Sequence, residues 1–262
     1  MVADRCLRVQ SERLCDDHQW SHHLETCLEI LTHQGRFREA RQVYDEMLSL
    51  KFSTPDTFGR FLFASHDVEG LQKFITETRS KNKTTASYFA ALAHLQQGNI
   101  SKAQPEIDVL EEALKSKKDD KKLQKKLWET RGLAQCRTGL VDQGLSLLKK
   151  AADASKNDYQ QHAWGHGAYY MEVWGMAALA AGKDADAEEA FLEAIAHDPG
   201  SFRGPLGMQV LCERLGRSDE ARQYQAMAEK AWQHAEVKVF TEEVAQVRQL
   251  KPGTTLSTSV GP

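Results

Sequence analysis

The sequence predicts an all-α chain built as a stacked array of helix-turn-helix units, and three observations predict it. The first is a cadence in which a glycine is followed five residues later by a small residue. It recurs at Gly35/Ala40, Gly98/Ala103, Gly139/Gly144, Gly182/Ala187 and Gly216/Ala221, with a degenerate copy read at Ser65/Gly70. The intervals between the small residues are 30, 33, 41, 43 and 34 residues, the period at which one helical hairpin stacks on the next because none can bury its apolar face alone. The second is composition. Six prolines, 17 glycines and few β-branched runs in 262 residues disfavour an all-β fold. The third is balance: 41% hydrophobic and 27% charged residues suit a thin array that exposes much of its surface.

The first unit carries Leu24, Leu28, Leu31, Gly35, Ala40, Tyr44 and Met47 at helical spacing. The second is irregular, with Phe58, Phe61 and Phe74 in place of smaller residues and Pro55 near its start. In the third, Ala91, Gly98, Ala103 and Ile107 keep the pattern, while Pro105 falls early in the second helix, where it is less tolerable than in the first turn. The fourth unit is the clearest copy: Trp128, Gly132, Gly139, Gly144, Leu148 and Ala151. The fifth reads Met171, Gly175, Ala178, Gly182, Ala187, Phe191, Ala194 and Pro199, and predicts a helix over Tyr169–Ala181 ended by Gly182 in a left-handed cap. The sixth has Pro205, Cys212, Gly216, Ala221 and Ala228. Apolar periodicity then runs on through Trp232, Ala235, Val239, Val244 and Val247. This reads as the last helix extended into a cap over the end of the stack.

With its leading Trp, close-contact Gly, turn Gly, small residue in the second helix and terminal Pro, the fourth and fifth units resemble the tetratricopeptide-repeat family. The resemblance covers about residues 21–234. It implies a right-handed superhelical solenoid of about six such units. The implied organisation is an N-terminal extension over 1–20, the array over 21–234, a capping helix over 235–250 and a disordered Thr/Ser/Gly/Pro-rich tail over 251–262. A related pentatricopeptide reading of 41–57 is disfavoured by the uneven intervals and by the absence of basic charge.

In the family the first helix of each unit lines the concave face. Mapped onto this chain, that face holds Glu25, Glu29, Tyr88, Leu92, Glu129, Leu133, Tyr169, Glu172, Met176, Arg203 and Val210. An apolar floor with spaced carboxylates suits an amphipathic helix or extended peptide with basic flanks. The residues expected to contact such a partner are Tyr88, Leu92, Glu129, Tyr169, Glu172, Met176, Arg203 and Val210, with Trp164 at the rim. Chaperone-tail binding within the family needs a basic clamp, and acids occupy those positions here.

The segment 157–174 is dense in chemistry. His162 and His166 stand four apart on a helical face and are weak metal candidates, and Tyr159, Trp164, Tyr169 and Tyr170 form an aromatic group. This supports an alternative function as a metal- or small-ligand-binding accessory subunit. Self-association through the groove or the last helix is a third reading. His18, His22, His23 and Cys27 match no zinc spacing. The lysine run at 115–126 reads as helix extensions projecting into solvent.

A net charge of −3 gives no general attraction for nucleic acid or anionic lipid, and no apolar run approaches the roughly 20 residues of a membrane helix. Five scattered cysteines and no apolar leader predict free thiols in the cytoplasm. No nucleophile elbow, phosphate loop or dinucleotide fingerprint is present, so no catalysis and no cofactor are expected.

Overall fold

The computed structural model describes residues 17–156 and 168–250, which form thirteen helices and no strand among the described residues. In chain order these are α1 (Asp17–His33), α2 (Phe37–Ser49), α3 (Pro55–Ala64), α4 (Val68–Arg79), α5 (Lys83–Gln96), α6 (Ile100–Ser116) and α7 (Lys121–Arg137). They continue as α8 (Val141–Lys156), α9 (Tyr169–Ala181), α10 (Asp184–His197), α11 (Arg203–Arg214), α12 (Ser218–Ala231) and α13 (Val237–Arg248). None of them is long and apolar enough to cross a membrane.

Local chemistry starts and stops these helices. Pro55 opens α3 at the first turn, where a missing N–H costs nothing. The side chains of Asp67, Asn82, Asn99 and Asp120 accept from backbone N–H groups three residues on, capping α4, α5, α6 and α7. α9 spans the predicted Tyr169–Ala181, and Gly182 ends it at φ +69°. Pro105 departs from expectation: α6 runs through it to Ser116.

Each odd-numbered helix pairs with the even-numbered helix after it, from α1·α2 to α11·α12. Each odd helix also touches the next odd one without a break, α1·α3·α5·α7·α9·α11·α13. The odd row is therefore packed on several sides, and its burial records this. In α5, residues 85–92 are all buried, whereas α6 buries only Ala103, Ile107 and Leu110 along one stripe.

The turn inside each pair needs a residue in the left-handed region. Glycine supplies it in five of the six pairs, at Gly35, Gly98, Gly139, Gly182 and Gly216. In the pair α3·α4 the position belongs to His66, at φ +54°, not to Ser65. The second copy of the cadence is thus His66/Leu71, one residue later than Ser65/Gly70. Gly70 instead gives its N–H to the Asp67 cap at 2.8 Å. The corrected register exposes a second period. Seven residues before the turn stand Gly59, Gly132 and Gly175, each beside a bulky partner. A Cβ on Gly59 would lie 2.2 Å from the Phe89 ring, and one on Gly175 would lie 2.5 Å from the Phe191 ring.

Two further expectations change. The lysine run does not project into solvent throughout: α6 ends at Ser116, α7 begins at Lys121, and Lys125 and Lys126 are buried. Lys126 Nζ meets Asp56 at 2.6 Å and lies 5.1 Å from the centre of the Tyr88 ring. The C-terminal periodicity is not one extended helix either. The chain leaves the helix after Ala231 and restarts at Val237 as α13, packed on α11.

That break lets the two ends of the array meet. The Trp232 indole stacks on Phe202 with centroids 3.8 Å apart, and its Nε1 donates to the His33 carbonyl at 2.8 Å. A Cβ on Gly35 would touch the same indole at 3.0 Å. Arg38 N donates to Glu236 Oε1 at 2.6 Å, and His33 Nε2 lies 3.0 Å from Asp198 Oδ2. The two ends of the odd row are joined across this seam.

Candidate functional site

The inner face holds a half-open cavity of about 310 Å³ lined by residues from every odd helix. The residues immediately after the seven-residue marker, Glu29, Arg60, Leu92, Leu133 and Met176, all reach it. Repetition of one register position in five successive pairs builds most of one wall. Aromatic rings from Phe61, Phe89, Phe202 and Trp232 complete an apolar surround.

Arg60 is the central charge. Its guanidinium carbon stands 4.2 Å from the centre of the Tyr169 ring and 5.9 Å from that of Tyr170. Protein surrounds it, so the surface it retains lies on the cavity. Burial works against its charge. The phenols of Tyr88, Tyr169 and Tyr170 and the carboxylate of Glu129 outweigh burial and hold its pKa well above the ordinary arginine value. Its Nε is buried with no hydrogen-bond partner.

Glu129 has no exposed surface. Both of its oxygens are occupied: Tyr88 Oη donates to Oε2 at 2.6 Å and Tyr169 Oη donates to Oε1 at 2.5 Å. Burial pushes this carboxyl above 4.5, and Arg60 with the two phenol bonds restrains the shift. Burial raises both tyrosines, so they stay protonated and donate. The other carboxylates are also held. Ser201 Oγ donates to Glu172 at 2.6 Å, and Thr57 Oγ1 donates to Glu29 at 3.1 Å and to Glu25 at 2.8 Å. Arg203 Nε meets Glu243 at 2.5 Å, a pair that holds the acid below its ordinary value against burial and raises the arginine.

Of the residues expected to contact a partner, the cavity brings together Leu92, Glu129, Tyr169, Glu172, Met176 and Arg203. Tyr88 is not a contact surface: it is fully buried behind the wall and positions Glu129. Val210 is buried too and does not reach the lining, because the sixth pair turns its equivalent residue away from the cavity. Trp164, His162 and His166 lie outside the described residues. Among the described residues no group of three or more His, Cys, Asp or Glu side chains is placed to hold a metal ion.

Sequence reasoning missed Arg60, Arg137, His33, His66 and Glu243, all on the lining. A signal for Arg60 did exist. It follows Gly59 as Leu133 follows Gly132 and Met176 follows Gly175, but the one-residue error at Ser65/Gly70 hid the equivalence. No sequence signal placed Glu243 of α13 on the same cavity lining as His33 and Arg60.

No family model, curated protein or solved structure matches the chain.

Proposed function

We propose that this protein is a non-catalytic binding module, a right-handed array of six tetratricopeptide-like units closed by α13, which holds a short extended segment of a partner protein in its inner cavity. Support comes from the unbroken row of odd helices, the repeated turn position and the seven-residue spacing ahead of it. The observation that carries the reading is the wall formed by one register position in five successive pairs. Such a wall is how a repeat array makes one continuous contact surface. Among the described residues Cys27, Cys136 and Cys212 form no disulfide, in keeping with action in the cytoplasm.

The test is affinity capture with wild type and with Met176→Arg, both shown to be helical by circular dichroism. Met176 lies on the wall and its replacement puts a cation into the cavity. A protein retained by wild type and lost by the variant supports the reading. Identical retained sets overturn it.

A second reading, a site for a small ligand, is favoured by size. The cavity volume falls within the roughly 300–1,000 Å³ typical of small-molecule sites.

A further inference from the structure

We propose that the cavity binds an amphipathic monocarboxylic acid whose carboxylate is anchored by the guanidinium of Arg60. The proposal rests on the small-ligand reading and deepens it by naming the ligand class.

A guanidinium carries five N–H donors in a plane, and a buried one is costly when donors go unused. Arg60 stacks its face on Tyr169, and stacking leaves the donors at the edge. One of them, Nε, is buried without a partner. The nearest acid does not fill that role. Glu129 acts on Arg60 through space, while its two oxygens accept from Tyr88 and Tyr169. Arg203, a second cavity cation, is already bonded to Glu243. The structure thus holds a half-buried cation on the cavity lining that no acid of the wall bonds; its Nε is sealed by protein, so a ligand meets the surface that the rest of the guanidinium keeps.

Three features select the acid. A carboxylate is planar and matches the guanidinium edge with two parallel bonds, and charge-assisted bonds are the stronger kind. A single negative charge suits the site better than a phosphate dianion, because Glu29, Glu129, Glu172 and Glu243 share the lining. The remaining wall of Phe61, Phe89, Leu92, Leu133 and Met176 requires an apolar body behind the charged group.

The experiment is isothermal titration calorimetry with octanoate, 1-octanol and octylamine, three probes that share a chain and differ at the head. Octanoate is expected to bind wild type at least ten times more tightly than 1-octanol, and octylamine is expected to show no binding. In Arg60→Met the preference for octanoate over 1-octanol is expected to vanish, and Arg60→Lys is expected to keep part of it. Equal affinity of wild type for octanoate and 1-octanol overturns the acid assignment and leaves the small-ligand reading standing. Failure of all three probes overturns both, while the partner reading is still decided by the capture experiment. An undiminished octanoate preference in Arg60→Met removes Arg60 as the anchor. The wild-type comparison needs no variant, so it decides the acid assignment even where Arg60→Met fails to fold.

Discussion

His33 shows how one residue joins distant parts of the chain. Burial disfavours its charge, but the Asp198 carboxylate 3.0 Å away, the charge of Glu172 and the contact with the Gly200 backbone outweigh burial and raise its pKa above 6.5. Asp198 responds in the opposite direction: burial raises it, His33 more than offsets this, and it lies below 3.8. A raised histidine contributes stability that is complete below its unfolded pKa and is lost as pH rises through the folded value. A lowered aspartate contributes stability above its unfolded pKa and loses it on acidification. The pair is therefore strongest between 3.8 and 6.5 and weakens on the alkaline side. We expect the melting temperature of wild type to fall between about pH 5.5 and about pH 8.5, and His33→Gln to show a smaller fall. Equal falls in the two proteins would remove His33 from the seam. The histidine itself was legible as a titratable group. Its partner, 165 residues away, was not, because spacing in sequence says nothing about a contact made by closure of the array.

Among the elements, the second helix pair is the instructive one. Its aromatic residues and Pro55 mark it as irregular in sequence, yet α3 and α4 occupy the same place in the odd and even rows as their counterparts. What hid the regularity was the use of His66 at a turn that glycine fills elsewhere. Histidine tolerates the left-handed region better than most residues, at a cost that packing covers here. The restored register makes Gly59 the close-contact residue against Phe89. Gly59→Ala is therefore predicted to destabilise the fold by about 1–3 kcal/mol in urea unfolding, although alanine is the better helix former by about 1 kcal/mol. A stabilised variant would show that α3 and α5 have room to spare and that the assignment is wrong. The other pairs were legible because glycine left a mark at their turns and small residues marked their close crossings.

At the scale of the molecule, the seam decides whether the inner face is an open groove or a cavity. Trp232 carries most of it, stacked on Phe202 and bonded to the His33 carbonyl. Trp232→Phe keeps an aromatic ring but removes the donor, leaving a part-buried carbonyl without its bond, at a cost of about 1–3 kcal/mol. Hydrogen exchange should then quicken in α1 and α12 together, at opposite ends of the chain, while α5 and α7 keep their protection. Faster exchange confined to α12 would mean that the two ends are not coupled through this residue.

Taken alone, the sequence determined that this chain is all-helical and where five of its six within-pair turns fall. Those properties are local. Apolar period, capping residues and turn glycines act within a few residues of one another, so they can be read from neighbours in the chain. Only the tertiary structure decided that α13 is a separate helix, that residues 33–38 meet residues 198–236, and that Arg60 stands against Tyr169 at a cavity wall. These depend on how small rotations between successive pairs accumulate over the whole array, and no single stretch of sequence records that sum.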